Sequence, residues 1–239
     1  MRNAPAIEPF TPSAVGHLEE KWLQTLLHAK TWKPASGPLL IVSPHPDDEI
    51  LGAGGLIHEW AESGHAVTIL SVTDGEAAYP DWPSLGNLRI RELHRALRRL
   101  SGTHIPVFRL ALPDGQVHQS RNRLRNALSS AITAQTTLVA PYEKDGHPDH
   151  NAVGEVCLEV ARITGTPCIR YPIWRWHHGS ATELDTAQWV KVSLPQEARR
   201  AKAHAIRCFS SQLAPTNHDP ILPSHVLQYF EREFEAFML

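Results

Sequence analysis

Short apolar runs alternate with amphipathic helical segments along most of this chain, and this alternation restricts its fold more than any other feature. The apolar runs have the length and the β-branched content of strands buried on both faces; they are 38–43, 65–73, 105–112, 136–141 and 166–174. Helical segments separate them, at about 51–63, 87–102, 121–134 and 151–164. Strands that alternate with helices form right-handed βαβ units and a parallel sheet. We therefore predict a Rossmann-like α/β fold, in which helices flank a mostly parallel sheet in a single domain.

The turn-forming stretch "PASGP", residues 34–38, divides the chain into two unequal parts. Residues 1–36 are predicted to form an N-terminal arm with one helix, around 17–30. Residues 37–239 are long enough to bury a sizeable core and are predicted to form the single domain. Beyond the last apolar run, the tail contains one further candidate strand and two candidate helices, at 188–194, 195–208 and 223–237.

Charge and cysteine content limit the partners and the compartment. The formal net charge is −2, so no basic field favours nucleic acid or an anionic membrane. The three cysteines are widely spaced and include no CxxC pair, which is typical of reduced thiols in a cytosolic protein. Neither a signal-peptide core nor an apolar run of roughly 18 residues is present. We expect a cytoplasmic protein without a transmembrane segment, and a homo-oligomer is compatible with the sequence.

Two loops that follow predicted strands carry the same short element, "HPD". The loop "SPHPDDE" spans residues 43–49 and leaves the first strand, and the loop "APYEKDGHPDH" spans 140–150 and leaves the fourth. Ligands of open α/β sheets bind beyond the carboxyl ends of the strands. The two loops are therefore predicted to meet on one rim, although about a hundred residues separate them.

The residue types in these loops suit a metal site. Zinc takes about three protein ligands at roughly 2.0–2.2 Å and keeps one position open in catalytic sites. His45, Asp48 and His150 can supply two nitrogens and one oxygen. Asp47 and Asp48 are neighbours, so their side chains should point in different directions. One can bind the metal while the other faces the metal-bound water and takes its proton. In the alternative interpretation "HPDDE" is a solvated turn whose acids stabilise a helix N-terminus, but two such loops on one rim favour the metal site.

Other catalytic motifs are missing from the sequence. The stretch "GAGG", residues 52–55, does not match GxGxxG, and no GxxxxGK[ST] occurs, so a dinucleotide site and a P-loop are unsupported. No PCxxC indicates a zinc deaminase, and no GxSxG indicates a serine hydrolase. A two-metal phosphoesterase would need a second set of carboxylate ligands, for which no obvious donors exist beyond Glu49 and Asp74.

Both motifs resemble those of the LmbE-like, or PIG-L, family of zinc-dependent N-acetylglucosaminyl deacetylases. The family motif (A/P)HPDDE stands here at 44–49, and its HPDH motif stands at 147–150. Weaker similarities are "TDGE" at 73–76, the RxxE element at 89–92, "PDG" at 113–115 and the segment at 202–212. The resemblance extends from about residue 38 to at least residue 212, and it implies the LmbE-like fold.

The resemblance implies a ligand set and a base. His45, Asp48 and His150 would bind the metal, and Asp47 would be the general base. The implied cofactor is Zn2+, with Fe2+ as the alternative.

The resemblance also implies roles for four residues around the metal. His147 would stabilise the oxyanion or protonate the leaving amine, and Asp149 would orient His147. Arg89 and Asp114 match positions that contact the sugar, although Arg89 could equally be a solvated helix residue and Asp114 a turn residue.

The implied reaction is hydrolysis of the N-acetyl amide of an N-acetylglucosamine-type sugar, which releases acetate and a free amine. The substrate would be a small molecule or a glycoconjugate. One alternative is an amidase acting on another N-acyl compound, such as a thiol conjugate or a glycopeptide. Another is a non-catalytic sugar-binding module. The presence of Asp47 disfavours this alternative, because a binding module needs no base at the water.

The aromatic stretch "YPIWRWHHG", residues 171–179, follows the fifth strand and so points to the same rim. Trp174 and Trp176 either contact the substrate or pack beneath a loop. We expect His177 and His178 to be surface residues rather than further metal ligands.

Overall fold

Eight strands form one sheet in the part of the chain that the computed structural model describes, which is residues 12–14, 16–183 and 186–239. The strands are β1 (Lys30–Thr31), β2 (Leu39–Ser43), β3 (Val67–Thr73), β4 (Val107–Leu112), β5 (Thr137–Pro141), β6 (Cys168–Tyr171), β7 (Trp189–Ser193) and β8 (Phe234–Met238). Their order across the sheet is β1-β7-β8-β6-β5-β2-β3-β4. Every pairing is parallel except those of β8, which runs antiparallel to β6 and β7. The predicted α/β class with a mostly parallel sheet is confirmed.

Helices cover both faces of this sheet. They are α1 (Glu19–Leu26), α2 (Asp48–Glu62), α3 (Leu85–Leu100), α4 (Arg121–Ala131), α5 (Pro148–Thr164), α6 (Arg175–His178), α7 (Gln196–Ile206), α8 (Ser210–Leu213) and α9 (Ser224–Leu227). Successive residues of a strand point to opposite faces. In β2, Leu39 and Ile41 therefore join the larger apolar cluster, whereas Leu40 and Val42 join the smaller one. Burial on both faces explains why β2 is apolar without alternation.

The sequence prediction for the C-terminal segment is wrong. Residues 223–237 do not form one helix: after the short α9 and a 3-10 turn, the chain enters β8. The Glu235 carboxylate accepts the N–H groups of Gly55 and Leu56 at 2.7 and 2.9 Å, and it also accepts a hydrogen bond from Lys202 Nζ at 2.7 Å. These long-range contacts dock the segment between β6 and β7 and override its local preference.

The N-terminal segment contributes to the same sheet and core. The indole of Trp22 in α1 is fully buried, and its Nε1 donates a hydrogen bond to the Trp176 carbonyl at 2.8 Å. Strand β1 pairs with β7. Residues 1–11 and 15 of the predicted arm lie outside the described residues. The boundary between residues 36 and 37 stays a prediction.

The sheet order places the two HPD loops side by side. Strand β2 pairs directly with β5, with Leu39 opposite Thr137 and Ile41 opposite Val139. Because the strands are parallel, the loops that leave their carboxyl ends start next to each other. One loop leads into α2, and the other leads into α5.

Candidate active site

His45, Asp48 and His150 meet where the loops after β2 and β5 converge. The Nδ1 atom of His45 lies 3.2 Å from Nε2 of His150 and 3.3 Å from Oδ2 of Asp48, and that oxygen is 3.2 Å from His150 Nε2. Tetrahedral ligands about 2.0–2.2 Å from a zinc ion would be roughly 3.3–3.6 Å apart. The three atoms therefore form a triangle of suitable size for one metal ion, and their role as its ligands stays a prediction.

The local sequence explains how this triangle forms. Asp48 opens α2, and its Oδ2 accepts the backbone N–H of His45 at 2.9 Å, which holds the loop against the helix start. Ser43 Oγ donates to Glu49 Oε2 at 2.5 Å and ties the end of β2 to the first turn of α2. Asp47, between these contacts, has a φ of 142°. That value is rare for a residue with a side chain, and such strain is held in place only where surrounding contacts enforce it.

Carboxylates contact the outer nitrogens of both histidines. Asp145 Oδ2 lies 2.8 Å from His150 Nδ1. His45 Nε2 lies 3.0 Å from Asp114 Oδ1 and 3.4 Å from Asp149 Oδ2. Negative charge at an outer nitrogen favours a proton there and leaves the inward nitrogen free for a metal.

The pKa values of these two histidines reflect the negative charge of the carboxylates around them. Burial alone would lower the pKa of His150, but the charges of Asp48 and Asp145 raise it to about 9. The pKa of His45 is likewise raised, against burial, by Asp114, Asp149 and Asp48. Metal ions displace protons from such ligands. The residues therefore fit a divalent cation.

A second group of donors lies on the far side of His45. His45, Asp114 and Asp149 also bring ligand-type atoms within 4.8 Å of one another. The oxygens of Asp149 already accept the N–H groups of Gly115 and Val117 at 2.7 and 3.1 Å. This second group contacts His45 at Nε2, the nitrogen that faces away from the triangle.

Asp145 is a site residue that the sequence analysis missed. Its buried carboxylate accepts the backbone N–H groups of Ile173, Trp174 and Arg175 at 2.8–3.0 Å, in addition to contacting His150. One side chain thus joins the HPDH loop to the segment after β6. The only sequence signal was an acid two residues before HPDH, which also fits an ordinary turn.

The buried side chain of Arg89 is bound to Asp47. Its Nη2 donates to Asp47 Oδ2 at 3.0 Å and to the Pro46 carbonyl at 3.1 Å, and its Nη1 donates to the Gly75 carbonyl at 3.2 Å. Burial raises the pKa of Asp47 to about 7, while the charge of Arg89 opposes the rise. Arg89 also lines the cavity above the triangle, so its predicted contact with a sugar stays a prediction.

His147 occupies the N-cap of α5, next to the triangle. Its Nδ1 accepts the N–H of Asp149 at 3.2 Å, so in the neutral ring the proton is on Nε2. Burial, together with positive charge on the neighbouring His45 and His150, lowers the pKa of His147 to about 3. Asp149 therefore touches His147 through its backbone. The predicted role of the Asp149 carboxylate in orienting that ring stays a prediction.

A cavity of about 500 Å³ opens above these residues. Its lining includes His45, Asp47, Asp48 and His147, together with Asp114, Arg89 and a largely apolar wall that includes Trp174.

Trp176, in contrast, is buried in the core between Trp22 and Trp189. The expectation that His177 lies on the surface is wrong: it is 2% exposed, because it packs between the rings of Trp174 and His225. His178 is exposed, as predicted.

A parallel α/β sheet with a buried His–Asp–His triangle at its strand ends and a further carboxylate beside it is an arrangement that suits a metal-dependent hydrolase. The comparisons with known proteins narrow this class. The family model described as "PIG-L: GlcNAc-PI de-N-acetylase" matches residues 40–161. The chain belongs to this PIG-L family of N-deacetylases.

Individual relatives support the assignment. A 1D-myo-inositol 2-acetamido-2-deoxy-alpha-D-glucopyranoside deacetylase of Tsukamurella paurometabola is 39% identical over 66% of this chain and 68% of its own length. A diacetylchitobiose deacetylase of Thermococcus kodakarensis is 29% identical over 54% of this chain and 51% of its own length. The chain thus matches between about half and two thirds of these relatives.

The solved structure of N,N'-diacetylchitobiose deacetylase from Pyrococcus horikoshii has the same fold. It gives a TM-score of 0.63 at 20% identity and covers 94% of this chain and 93% of that one. Among the described residues, no helix is both long and apolar enough to cross a bilayer.

Proposed function

We propose that this chain hydrolyses the N-acetyl amide of an N-acetylglucosamine-type amino sugar, linked to a glycan, a lipid or a small molecule, and releases acetate and a free amine. The observation that carries the proposal is the triangle of His45 Nδ1, Asp48 Oδ2 and His150 Nε2, with sides of 3.2–3.3 Å, beside the buried carboxylate of Asp47. Two relatives are named as deacetylases of compounds that contain N-acetylglucosamine, and these names support the sugar part of the proposal.

His45, Asp48 and His150 would hold the metal ion. Two imidazole nitrogens and one carboxylate oxygen suit zinc, which we propose as the cofactor, and Fe2+ is the alternative. When bound, such an ion supplies Lewis-acid chemistry, since it polarises a carbonyl oxygen and acidifies water.

Asp47 is proposed as the general base. It accepts one proton from the attacking water on its carboxylate, while the water oxygen bonds to the amide carbon. A base whose pKa lies near 7 is well matched to neutral pH. Arg89 fixes the direction of the carboxylate through the Nη2 contact at 3.0 Å, and burial of both groups keeps bulk water from competing for that contact.

His147 is proposed to stabilise the negative charge that develops on the amide oxygen. In the neutral ring the proton is on Nε2, because Nδ1 accepts the Asp149 N–H, and this Nε2–H is the proposed donor to that oxygen. The carbon–nitrogen bond then breaks, and the proton held by Asp47 passes to the departing nitrogen. The balance is one water consumed, one acetate formed and one amine released.

We also propose a cytoplasmic location. Cys157, Cys168 and Cys208 form no disulfide with one another, which supports a reducing compartment.

The test is a metal-dependent hydrolysis assay. Purified protein is stripped with chelator, reloaded with Zn2+ or Fe2+, and assayed for acetate and free amine with a panel of N-acetylglucosamine derivatives. The Asp47→Asn variant is the matched control, because it removes the base and retains all three ligands. Metal-dependent release that Asp47→Asn loses while keeping its metal supports the proposal. Full turnover by Asp47→Asn, or stoichiometric metal without release from any derivative, would overturn it.

A further inference from the structure

The outer wall of the cavity is aromatic and is built from two loops that are far apart in the sequence. Tyr79 and Trp82 come from the loop between β3 and α3, and His218 comes from the segment that follows α8. The rings of Tyr79 and His218 stack with centroids 4.4 Å apart and an interplanar angle of 17°. Trp82 lies 6.2 Å from both rings. We call these three residues the aromatic wall; Tyr79 and His218 line the cavity directly.

Polar contacts between the two loops hold the aromatic wall in place. The Tyr79 hydroxyl donates a hydrogen bond to the Asp219 carbonyl at 2.9 Å. His218 Nε2 lies 3.5 Å from Asp81 Oδ1 of the opposite loop. Tyr79 is only 7% exposed, so its ring is fixed by packing before any ligand arrives. A rigid ring presented to a cavity loses little entropy when it stacks on another ring.

The charges around the cavity disfavour an anionic ligand. Among the described residues that line it, there is no lysine, and Arg89 is the sole arginine. The Nη atoms of Arg89 already donate to Asp47 and two carbonyls, and its Nε is buried away from solvent. The lining includes four carboxylates, those of Asp47, Asp48, Asp114 and Asp219. A phosphate at the aromatic wall would lose its hydration next to the Asp219 carboxylate, and no lysine or arginine belongs to that wall.

On the basis of the proposed deacetylase function, we infer that the aromatic wall is the subsite for the group attached to the amino sugar. The occupant is an uncharged ring, either a second sugar or an aryl group, and a phosphate-linked group is rejected. A cavity of about 500 Å³ has room for a ligand of two rings. The apolar side chains of Ile221 and Leu222, which also line the cavity, suit the faces of such a ligand.

The kinetic test compares substrates that share the amino sugar and differ in the attached group. They are N-acetylglucosamine, its phenyl β-glycoside and its 1-phosphate. We expect the wild type to prefer the phenyl glycoside and to discriminate against the 1-phosphate. In Tyr79→Ala the ratio of kcat/KM for the phenyl glycoside to kcat/KM for N-acetylglucosamine should fall about tenfold, because one stacked ring is lost. Tyr79→Phe should restore most of this ratio, since it keeps the ring.

Phe108→Ala is the matched control for removal of a ring. Phe108 is 60% exposed on the edge strand β4 and does not line the cavity, so its removal should leave the ratio unchanged. Thermal unfolding of each variant, followed by circular dichroism, verifies the fold.

A binding measurement keeps this inference separate from the proposed function. Calorimetry with the metal-loaded protein compares phenyl β-glucosaminide with glucosamine 1-phosphate, and no hydrolysis is involved. Tighter binding of the phenyl compound, weakened in Tyr79→Ala, supports the subsite. That result combined with no acetate release from any substrate would refute the deacetylase proposal and leave the subsite in place. Equal binding of both compounds, or a kcat/KM ratio that Tyr79→Ala does not change, would overturn the subsite.

Discussion

Oδ2 of Asp145 lies 2.8 Å from Nδ1 of His150, and the same carboxylate holds the backbone of residues 173–175. The Asp145 carboxylate thus links the orientation of one proposed metal ligand, His150, to the backbone of Trp174, which belongs to the cavity wall. Such partners of ligating histidines set both ring orientation and ligand basicity.

Asp145→Asn should weaken metal binding by about 10- to 100-fold. Both oxygens of the carboxylate face nitrogen atoms, one set in the backbone and one in His150. The amide has a single oxygen, so its NH2 group would have to face one of these sets. Competition with a fluorescent chelator measures the affinity. Glu143→Gln is the control, because Glu143 belongs to the same loop but pairs with Arg170 at 3.0 Å. Equal affinity in wild type and Asp145→Asn would show that the carboxylate does not support the ligand.

Removal of the charge on Arg89 should shift the pH dependence of hydrolysis. Arg89 lowers the pKa of Asp47, which burial raises, and the base acts only when deprotonated. In Arg89→Met the acidic limb of kcat/KM should therefore move to higher pH by about one unit or more.

Arg89→Lys keeps the charge and should give a smaller displacement of that limb. Metal content is measured in parallel, because neither substitution touches a proposed ligand. An acidic limb that does not move in Arg89→Met would contradict the assignment of Asp47 as the titrating base.

Glu49 should make the metal-free protein less stable as pH rises. Burial raises its pKa from 4.5 to about 8, so the folded state binds this proton more tightly than the unfolded state does. The free energy of unfolding therefore falls between about pH 5 and pH 8, by on the order of a few kcal/mol.

Glu49→Gln cannot ionise and should lack this decline, while its amide oxygen can still accept from Ser43. Urea unfolding at pH 5 and pH 8 gives the comparison. If the difference in free energy between variant and wild type is the same at both values, Glu49 does not titrate in this window.

Removal of the metal should lower thermal stability. An ion that binds only the folded state adds about 2.7 kcal/mol when its free concentration is 100 times Kd. Unfolding is followed with chelator and with added Zn2+. His150→Ala lacks one of the three proposed ligands and should lose this zinc-dependent gain in thermal stability. A variant that still gains full stability from zinc would exclude His150 as a ligand.

The sequence by itself determined the order of strands and helices and the central residues of the candidate site. The spacing of apolar residues has the period of strands and helices, and this local property fixed β2 to β7 in outline. His45, Asp48 and His150 could be brought together because the carboxyl ends of parallel strands share one edge, so that two distant motifs had to converge.

Tertiary structure alone decided the contacts between residues that no local pattern relates. Arg89 looks like any arginine of an amphipathic helix until packing buries it against Asp47. Strand β8 looks helical until Glu235 meets α2 and α7. Asp145 and the aromatic wall gain their roles from long-range contacts, because burial, not residue type, determines which polar groups must find partners.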